Sequence, residues 1–422
     1  MQRVRMSLPF FSEFGWDAEV VAVDPVFTDM QQDMLLTEGL PQKLKIHWVR
    51  AFDKKWTCKI GLGSLALRSL LFYLTKVNGL LKNGHYDLIY FSTTQFPVCV
   101  LGAYWKQRFG VPYVIDMQDP WHSDYYKNKP KAEWPRKYWF SYRLNKLLEP
   151  WAIRQVNGLI SVSDEYIVSL KQRYPVIKAI PAVTIPFGAY AADIDIAASH
   201  SSEFRNLLPE GYSHVVYVGR GGADMHQAII PLFKALQEVL KTRPDYLQKL
   251  RFCFIGTSYA PAGTGIPTIV PLAKAFGLED YIIEVTDRIS YYHALYTLRS
   301  AKALFIPGAD SNGYTPSKLY PYLLLNKPIL GIFSEMSPAI SILHEYGAEW
   351  VYTVNQATAS HILDYIDGVL HHPGETVNYS VAAIEKYSAR QLTASQSAFF
   401  DRVINEKSKL QSKRFSGGNK RL

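Results

Sequence analysis

The chain has 422 residues, of which 48% are hydrophobic and 20% are charged. This composition excludes a disordered or fibrous protein, and the length predicts two domains. Lys and Arg outnumber Asp and Glu by 46 to 37, which favours an anionic partner such as a phosphate, a nucleic acid or an acidic lipid surface.

The chain begins with a segment that predicts a helix, RVRMSLPFFSEF (3–14), closed by Gly15. A doubly wound domain usually opens with a strand that lies centrally in its sheet. We therefore expect the first domain to lack its first strand, and we interpret the chain start as truncated or mis-assigned. No secretory signal is visible, and the apolar stretches 61–82 and 88–105 are too polar for spanning helices.

Short apolar runs, separated by helical patterns, follow along most of the chain. Their alternation predicts parallel sheets with helices on both faces. The fold class expected is α/β, with two doubly wound Rossmann-like domains. The predicted strands are 18–24, 44–50, 86–92, 112–117, 158–163 and 182–188 in the first domain, and 214–219, 250–256, 281–286, 302–308, 327–333 and 349–354 in the second.

The polar stretch 189–204 marks the boundary, so we expect domains over 1–190 and 205–379. Asp193 and Asp195 in this stretch form either a metal-binding pair or part of a polar linker, and we favour the linker. A long helix is predicted over 380–409, followed by a basic, disordered tail over 410–422.

A strand, a glycine-rich turn and a helix are predicted over 215–236. Such a junction offers backbone N–H groups and a positive helix end to a phosphate. Arg220 lies in this turn, between Gly219 and Gly221–Gly222, and its guanidinium suits phosphate oxygens. The spacing is not that of a dinucleotide fingerprint, and an ordinary tight βα turn is the alternative.

Lys318 lies at a predicted helix start, after Pro316 and Ser317. A cation there is unfavourable for the helix alone, because that end is already positive, and a docked anion would relieve it. The alternative is an exposed lysine in a solvated first turn. Because both turns follow strands at the carboxyl edge of one sheet, Arg220 and Lys318 would flank one diphosphate.

Asp116 and Asp119 follow a predicted strand of the first domain. Asp119 is a candidate base or hydroxyl-binding carboxylate, and the turn-forming Asp-Pro sequence at 119–120 is the alternative explanation. The following segment, 121–151, mixes basic and aromatic residues. It suits an anionic membrane surface or an amphipathic core helix, and less well single-stranded nucleic acid, so no nucleic-acid partner is predicted.

The three cysteines, Cys58, Cys99 and Cys253, are scattered singly. This usage argues for a reducing compartment and against a disulfide framework or a zinc site. No cofactor and no metal site is expected.

Several segments together resemble GT-B glycosyltransferases, especially those of family 4. They are the Gly-Arg turn at 215–236, PFGAYAADID (186–195) and SKLYPYLLLNKPIL (317–330). RFGVPYVIDMQDPW (108–121) is similar to the acceptor-side segment of bacterial members that build surface polysaccharides. The resemblance covers nearly the whole chain.

The resemblance implies a hexosyltransferase-like enzyme that moves a sugar from a nucleotide-sugar to a glycan or lipid-linked acceptor, in a cleft between the domains and without a metal. It makes 1–190 the acceptor domain and 205–379 the donor domain, with the helix over 380–409 crossing back to the first domain. Arg220 and Lys318 would stabilise the leaving diphosphate, and Asp119 would act on the acceptor side. The implied location is cytoplasmic, peripheral on the inner membrane face, in polysaccharide biosynthesis.

The sequence departs from the family pattern at three donor-site positions. His226 stands where the family commonly has a lysine, and Gly313 and Pro321 replace two glutamates that hold the donor sugar and ribose. Other groups would then bind the donor, and a non-catalytic GT-B-like scaffold or, more weakly, a sugar-nucleotide epimerase stays an alternative. The donor site expected comprises Gly219, Arg220, Gly221, Gly222, His226, Tyr314, Thr315, Ser317 and Lys318.

Overall fold

Every strand predicted from the sequence is present, within a few residues of its predicted bounds, in a computed structural model of the chain. All the strand pairings described are parallel. The structure describes residues 2–28, 33–122, 124, 127, 130, 131, 134, 138–310, 318–371 and 379–416. The chain divides into unit 1, with Met1–Gln32, Leu40–Phe187 and Arg390–Leu422, and unit 2, with Asp33–Gly39 and Gly188–Ala389.

Unit 2 contains one six-stranded parallel sheet in the order β12-β11-β10-β7-β8-β9. Its strands are β7 Ser213–Val218, β8 Leu250–Ile255, β9 Ile282–Val285, β10 Ala303–Pro307, β11 Ile329–Phe333 and β12 Trp350–Thr353. Val215 in β7 pairs with Phe252 on one side and Ala303 on the other, so the strand order reverses at β7. This is the doubly wound arrangement, in which ligands bind beyond the carboxyl ends of the strands at the reversal.

Helices cover this sheet because their apolar residues recur every three or four positions. In α8 (His226–Thr242), Ile229, Leu232, Phe233 and Leu236 are fully buried in the core of the unit. The remaining α-helices of unit 2 are α7 Ala192–Ser199, α9 Pro244–Gln248, α10 Ile269–Lys274, α11 Tyr291–Ser300, α12 Leu319–Leu323, α13 Pro338–Tyr346, α14 Ala359–His371 and α15 Val381–Lys386.

Unit 1 has two separate parallel sheets, one of two strands and one of four in the order β3-β4-β5-β6. The strands are β1 Glu19–Val23, β2 Lys45–Val49, β3 Ile89–Ser92, β4 Tyr113–Met117, β5 Gly158–Ser161 and β6 Ala182–Thr184. Its α-helices before the C-terminal segment are α1 Gln2–Ser7, α2 Lys54–Thr57, α3 Leu65–Asn83, α4 Val100–Phe109, α5 Tyr138–Ile153 and α6 Asp164–Arg173. The described strands of this unit therefore do not form the continuous sheet that unit 2 has.

The N-terminal segment is helical, as predicted, and it contributes to the interior of unit 1. After α1 comes a 3-10 turn, Phe11–Phe14, which Gly15 ends with a left-handed φ of 77°. Arg3 in α1 is buried against Asp116 of β4, with 2.8 Å between its Nε and the carboxylate. The guanidinium also donates to the carbonyl oxygens of Ile185 and Pro186.

The C-terminal region contains two helices where the sequence predicted one over 380–409. After α15, a longer helix, α16, runs from Ala389 to Ser416, past the predicted start of the disordered tail at 410. Phe400 of α16 packs against Phe11 and Trp16, and Gln396 accepts a hydrogen bond from Ser7. Within the described part of the chain, no helix combines the length and apolar character that a membrane span requires.

Candidate functional site

The glycine-rich turn follows directly from β7 and leads into α8. Its first two glycines continue the strand pairing, because Gly219 N–H donates to the Ile255 carbonyl at 2.8 Å and Gly221 N–H to the Thr257 carbonyl at 2.9 Å. The Tyr217 hydroxyl donates to the Arg220 carbonyl and closes the turn. These two glycine N–H groups are therefore bonded within the protein, contrary to the expectation that they are open to a phosphate.

Lys318 immediately precedes α12 and reaches back to the same turn. Its Nζ donates to the Val218 carbonyl at 2.8 Å and lies 4.9 Å from the centre of the Tyr217 ring. A Cβ at position 219 would come within 1.7 Å of this Nζ, so only glycine leaves room for the ammonium group there. Burial, together with the charges of Arg288 and Arg220, lowers the pKa of Lys318 to about 7.

Arg220 is about one-third exposed and forms a two-pronged ion pair with Asp224, with distances of 2.8 Å and 2.5 Å. The short spacing follows from the sequence, since the two residues are four apart in the turn that opens α8. The pair fixes the guanidinium beside Gly222, whose added Cβ would lie 2.5 Å from the Asp224 carboxylate. Arg220 thus belongs to the glycine turn, and Lys318 packs against the first glycine of the same turn.

A cavity of about 240 Å³ opens beside Arg220. Its walls are joined by Glu284 of β9, whose carboxylate accepts from the Thr257 hydroxyl and from the first N–H groups of α10. The Thr268 hydroxyl donates to the Gly221 carbonyl and ties the same walls to the turn. The lining residues are Arg220, Gly221, Gly222, Thr257, Ser258, Tyr259, Ile266 and Thr268.

Arg288 is a third cation of this site that the sequence reasoning missed. It lies in the turn between β9 and α11, and its guanidinium stacks 4.4 Å from the centre of the Tyr259 ring. Its charge lowers the pKa of Lys318 more than the charge of Arg220 does. The signal was present, because Arg288 is a basic residue in a βα turn at the same sheet edge as Arg220.

The other predicted donor-site residues are only partly described. His226 is the first residue of α8, and its Nε2 is buried without a hydrogen-bond partner among the described residues. Tyr314, Thr315 and Ser317 lie outside the described residues. The structure therefore brings together Arg220, Lys318 and the glycine turn in unit 2.

Asp119 belongs to unit 1, where it follows β4. The side chain is exposed at its surface, yet neighbouring protein atoms desolvate the carboxyl group and raise its pKa. Asp116 is different, because it is fully buried and accepts from Arg3, Tyr90, Ser92 and Gln118. Asp116 is a structural residue. Asp119 stays a candidate ligand-binding residue.

Asp193, one of the two acids in the boundary stretch, is buried in α7. Its carboxylate accepts hydrogen bonds from the hydroxyls of Tyr291 and Tyr292, which lie in α11. This contact fastens α7 to α11, so Asp193 has a packing role.

The sequence matches no protein-family model and no curated protein. Solved structures do match. The N-terminal domain of trehalose-6-phosphate phosphatase from Candida albicans is 12% identical with a TM-score of 0.55, over 94% of this chain and 93% of that chain. Sucrose-phosphate synthase from Thermosynechococcus elongatus is 14% identical with a TM-score of 0.51, over 98% and 93%.

What the chain shares with these structures is the GT-B fold, in which two Rossmann-like α/β units follow one another. The fold class predicted from the sequence is confirmed. A fold accommodates many chemistries, so the function has to be argued from the site.

Proposed function

We propose that this protein is a metal-independent glycosyltransferase of the family 4 type, which transfers a sugar from a nucleotide-sugar to a glycan or lipid-linked acceptor. The observation that carries the proposal is the group of three cations, Arg220, Arg288 and Lys318, around one glycine turn. Their mutual repulsion is large enough to contribute to the lowered pKa of Lys318. An anion bound among them would relieve that repulsion.

A diphosphate is the anion that fits this arrangement. In sugar transfer the nucleoside diphosphate leaves with developing negative charge, which fixed cations and a helix end stabilise when no metal does so. The glycine turn leads through a 3-10 turn, Ala223–Met225, into α8, so a helical N-terminus begins at Gly222. In the proposed roles, Arg220 and Lys318 stabilise the leaving group, and His226, Tyr314, Thr315 and Ser317 complete the donor site.

The cavity beside Arg220 has the chemistry to hold the nucleoside. Thr257, Ser258 and Thr268 provide hydroxyl groups, and Tyr259 provides an aromatic ring at the wall. Hydroxyls at this position could replace the two family glutamates that the sequence lacks. In the same proposal, Asp119 of unit 1 acts on the acceptor side, where its raised pKa suits proton transfer.

The proposal includes a cytoplasmic location. Cys99 and Cys253 are buried as free thiols, which agrees with a reducing compartment.

Calorimetric titration of the purified protein with a panel of nucleoside diphosphates tests the donor site, followed by turnover assays with the matching nucleotide-sugars. Arg220→Ala should weaken binding by about tenfold to a hundredfold, because it removes charged hydrogen bonds. The matched control is Arg243→Ala, an exposed arginine stacked on Tyr246 in the same unit. Unchanged affinity in Arg220→Ala would refute the site assignment.

A non-catalytic GT-B-like scaffold is the second candidate. The observation in its favour is that Pro321, at one of the two glutamate positions, is buried inside α12. A scaffold would bind a nucleoside diphosphate with the same dependence on Arg220 and show no sugar transfer and no donor hydrolysis. Product formation that Lys318→Ala abolishes would favour the enzyme.

A further inference from the structure

The outer face of α5 carries large apolar side chains that are exposed to solvent. Trp139, Arg143, Leu147 and Trp151 follow one another at intervals of four and so lie along one side of the helix. Trp139, Leu147 and Trp151 are 49%, 61% and 65% exposed. The opposite side, with Tyr138, Ala152 and Ile153, is buried. The core-packing explanation of segment 121–151 therefore accounts for the inner face of α5 and leaves its outer face unexplained.

A second segment, remote in sequence, lies against the beginning of α5. Gly61 touches the Phe140 ring, since a Cβ added to Gly61 would be 3.4 Å from that ring. Just before it, Trp56 is 72% exposed, and Leu62 is also exposed. Lys54, Lys55 and Lys59 in the same segment are exposed too. We call residues 54–62 and the outer face of α5 the basic aromatic surface.

Cations accompany the exposed tryptophans on this surface. The Lys59 ammonium lies 5.1 Å from the Trp56 ring centre, and the Arg143 guanidinium lies 5.9 Å from that of Trp139. Lys146 of α5 and Arg154, which follows the helix, are also exposed. Two of the three exposed tryptophan rings, those of Trp56 and Trp139, thus have a positive charge beside them.

The described acidic residues in and next to these segments, Asp53, Asp124 and Glu149, are fewer than the basic ones, and Asp124 accepts a hydrogen bond from the Tyr142 hydroxyl of α5. Asp53 accepts a hydrogen bond from the backbone N–H of Lys55 and caps α2. Glu149 is completely buried and accepts from Arg173 and Tyr174. The outward charge of the basic aromatic surface is therefore positive, which makes it complementary to an anionic partner.

We propose that the basic aromatic surface docks unit 1 on an anionic lipid bilayer. Tryptophan rings reside at the headgroup level of a membrane, while lysine and arginine contact lipid phosphates. The combination of exposed tryptophans with an excess of basic residues matches such an interface, whereas cations alone would match any polyanion. The surface lies in unit 1 and the cation cluster in unit 2, so bilayer docking does not depend on the proposed sugar transfer.

Sedimentation of the full-length protein with vesicles tests the proposal. Vesicles of neutral phosphatidylcholine are compared with vesicles containing about one-third phosphatidylserine, at low and high salt. Binding should require the anionic lipid and weaken as salt increases. Equal binding to neutral vesicles at every ionic strength, or no binding to either, would overturn the proposal.

Two variants separate charge from aromatic insertion. The first combines Lys54→Glu, Lys55→Glu, Lys59→Glu and Arg143→Glu, and the second combines Trp56→Ala, Trp139→Ala and Trp151→Ala. Each should weaken binding to anionic vesicles by about tenfold or more, because each cation near such a surface and each interfacial ring adds attraction. Circular dichroism and denaturant unfolding check that each variant is folded.

Matched controls lie in unit 2. Lys234→Glu, Lys241→Glu, Lys249→Glu and Lys274→Glu change the same charge at exposed positions, and Met336→Ala removes an exposed apolar side chain. These controls should bind vesicles as the unmodified protein does. If the four-charge control loses binding as fully as the surface variant, net charge alone explains it and the proposed surface is wrong. A single-stranded oligonucleotide that displaces the protein from vesicles through the same residues would also overturn it.

Discussion

Both units place charged side chains at the carboxyl end of an interior parallel strand, and they compensate the charges in different ways. In unit 1, Arg3 and Asp116 form a buried pair at 2.8 Å, and further donors share the same Oδ2, while Oδ1 has no hydrogen-bond partner among the described residues. In unit 2, Arg220, Arg288 and Lys318 gather near β7, and Asp224 pairs with Arg220. The same place in a Rossmann-like unit can thus hold a closed structural pair or an open cationic site.

The difference shows that the degree of charge compensation distinguishes a structural ion pair from a candidate binding site. A buried ion pair stabilises its surroundings only while both partners remain, since either one alone would be a buried charge. A buried cation beside other cations destabilises the protein, and both burial and, to a smaller extent, the charges of Arg288 and Arg220 lower the pKa of Lys318. Such a cost is typical of sites that bind a ligand of the opposite charge.

Removing the carboxylate of the closed pair should produce the largest effect on stability. Asp116→Ala leaves Arg3 buried without its partner, so the free energy of unfolding should fall by about 3–5 kcal/mol. Denaturant unfolding measures this loss. The control Asp17→Ala removes an exposed carboxylate of the same unit and should change stability by less than about 0.5 kcal/mol. If Asp116→Ala unfolds like the control, the pair is not structural and the comparison between the units fails.

The affinity of the cationic site in unit 2 for its ligand should depend on pH. Because the pKa of Lys318 is about 7, its ammonium group loses a proton in the free protein as pH rises above 7. A bound diphosphate would stabilise the protonated form of Lys318 and keep the proton in place. Affinity for a nucleotide-sugar, whose diphosphate carries constant charge in this range, should fall by up to about tenfold per pH unit above 7. Titration calorimetry across pH measures the slope.

Lys318→Met should bind more weakly at pH 7 and lose this pH dependence. It should also raise the melting temperature below pH 7, because it removes a cation whose folded-state pKa lies under its unfolded value. Lys327 is the matched control, a lysine whose pKa burial also lowers but which donates to the Ala301 carbonyl away from the glycine turn. Lys327→Met should keep the slope, and a slope that persists in Lys318→Met would contradict the assignment.

The smallest effect is expected from the carboxylate within the open site. Asp224 holds Arg220 in a partly exposed pair and would repel an arriving diphosphate, so Asp224→Asn should tighten nucleoside diphosphate binding by roughly twofold to fivefold. Asp245→Asn, which alters an exposed pair with Arg243, is the control. Weaker binding in Asp224→Asn would mean that Asp224 positions the arginine and does not compete with the ligand.

Much of the site was accessible from the sequence because βα turns at one sheet edge are close in space. The glycine turn, Arg220 and Lys318 were predicted on this ground, and the structure places them together. Arg288 obeyed the same rule and was overlooked. The N–H groups of Gly219 and Gly221 were assigned to a ligand, although local pattern alone cannot tell that β8 already binds them.

The sequence by itself determined the α/β architecture and the strand positions, since apolar runs of period two and helical patterns of period 3.6 are local properties. It also determined where cations follow strands. Only the tertiary structure decided that Asp116 is neutralised by Arg3, that Lys318 is buried beside Gly219, and that residues 54–62 join α5 on one surface. Burial and charge pairing depend on segments far apart in the chain, and their energies exist only once those segments are packed.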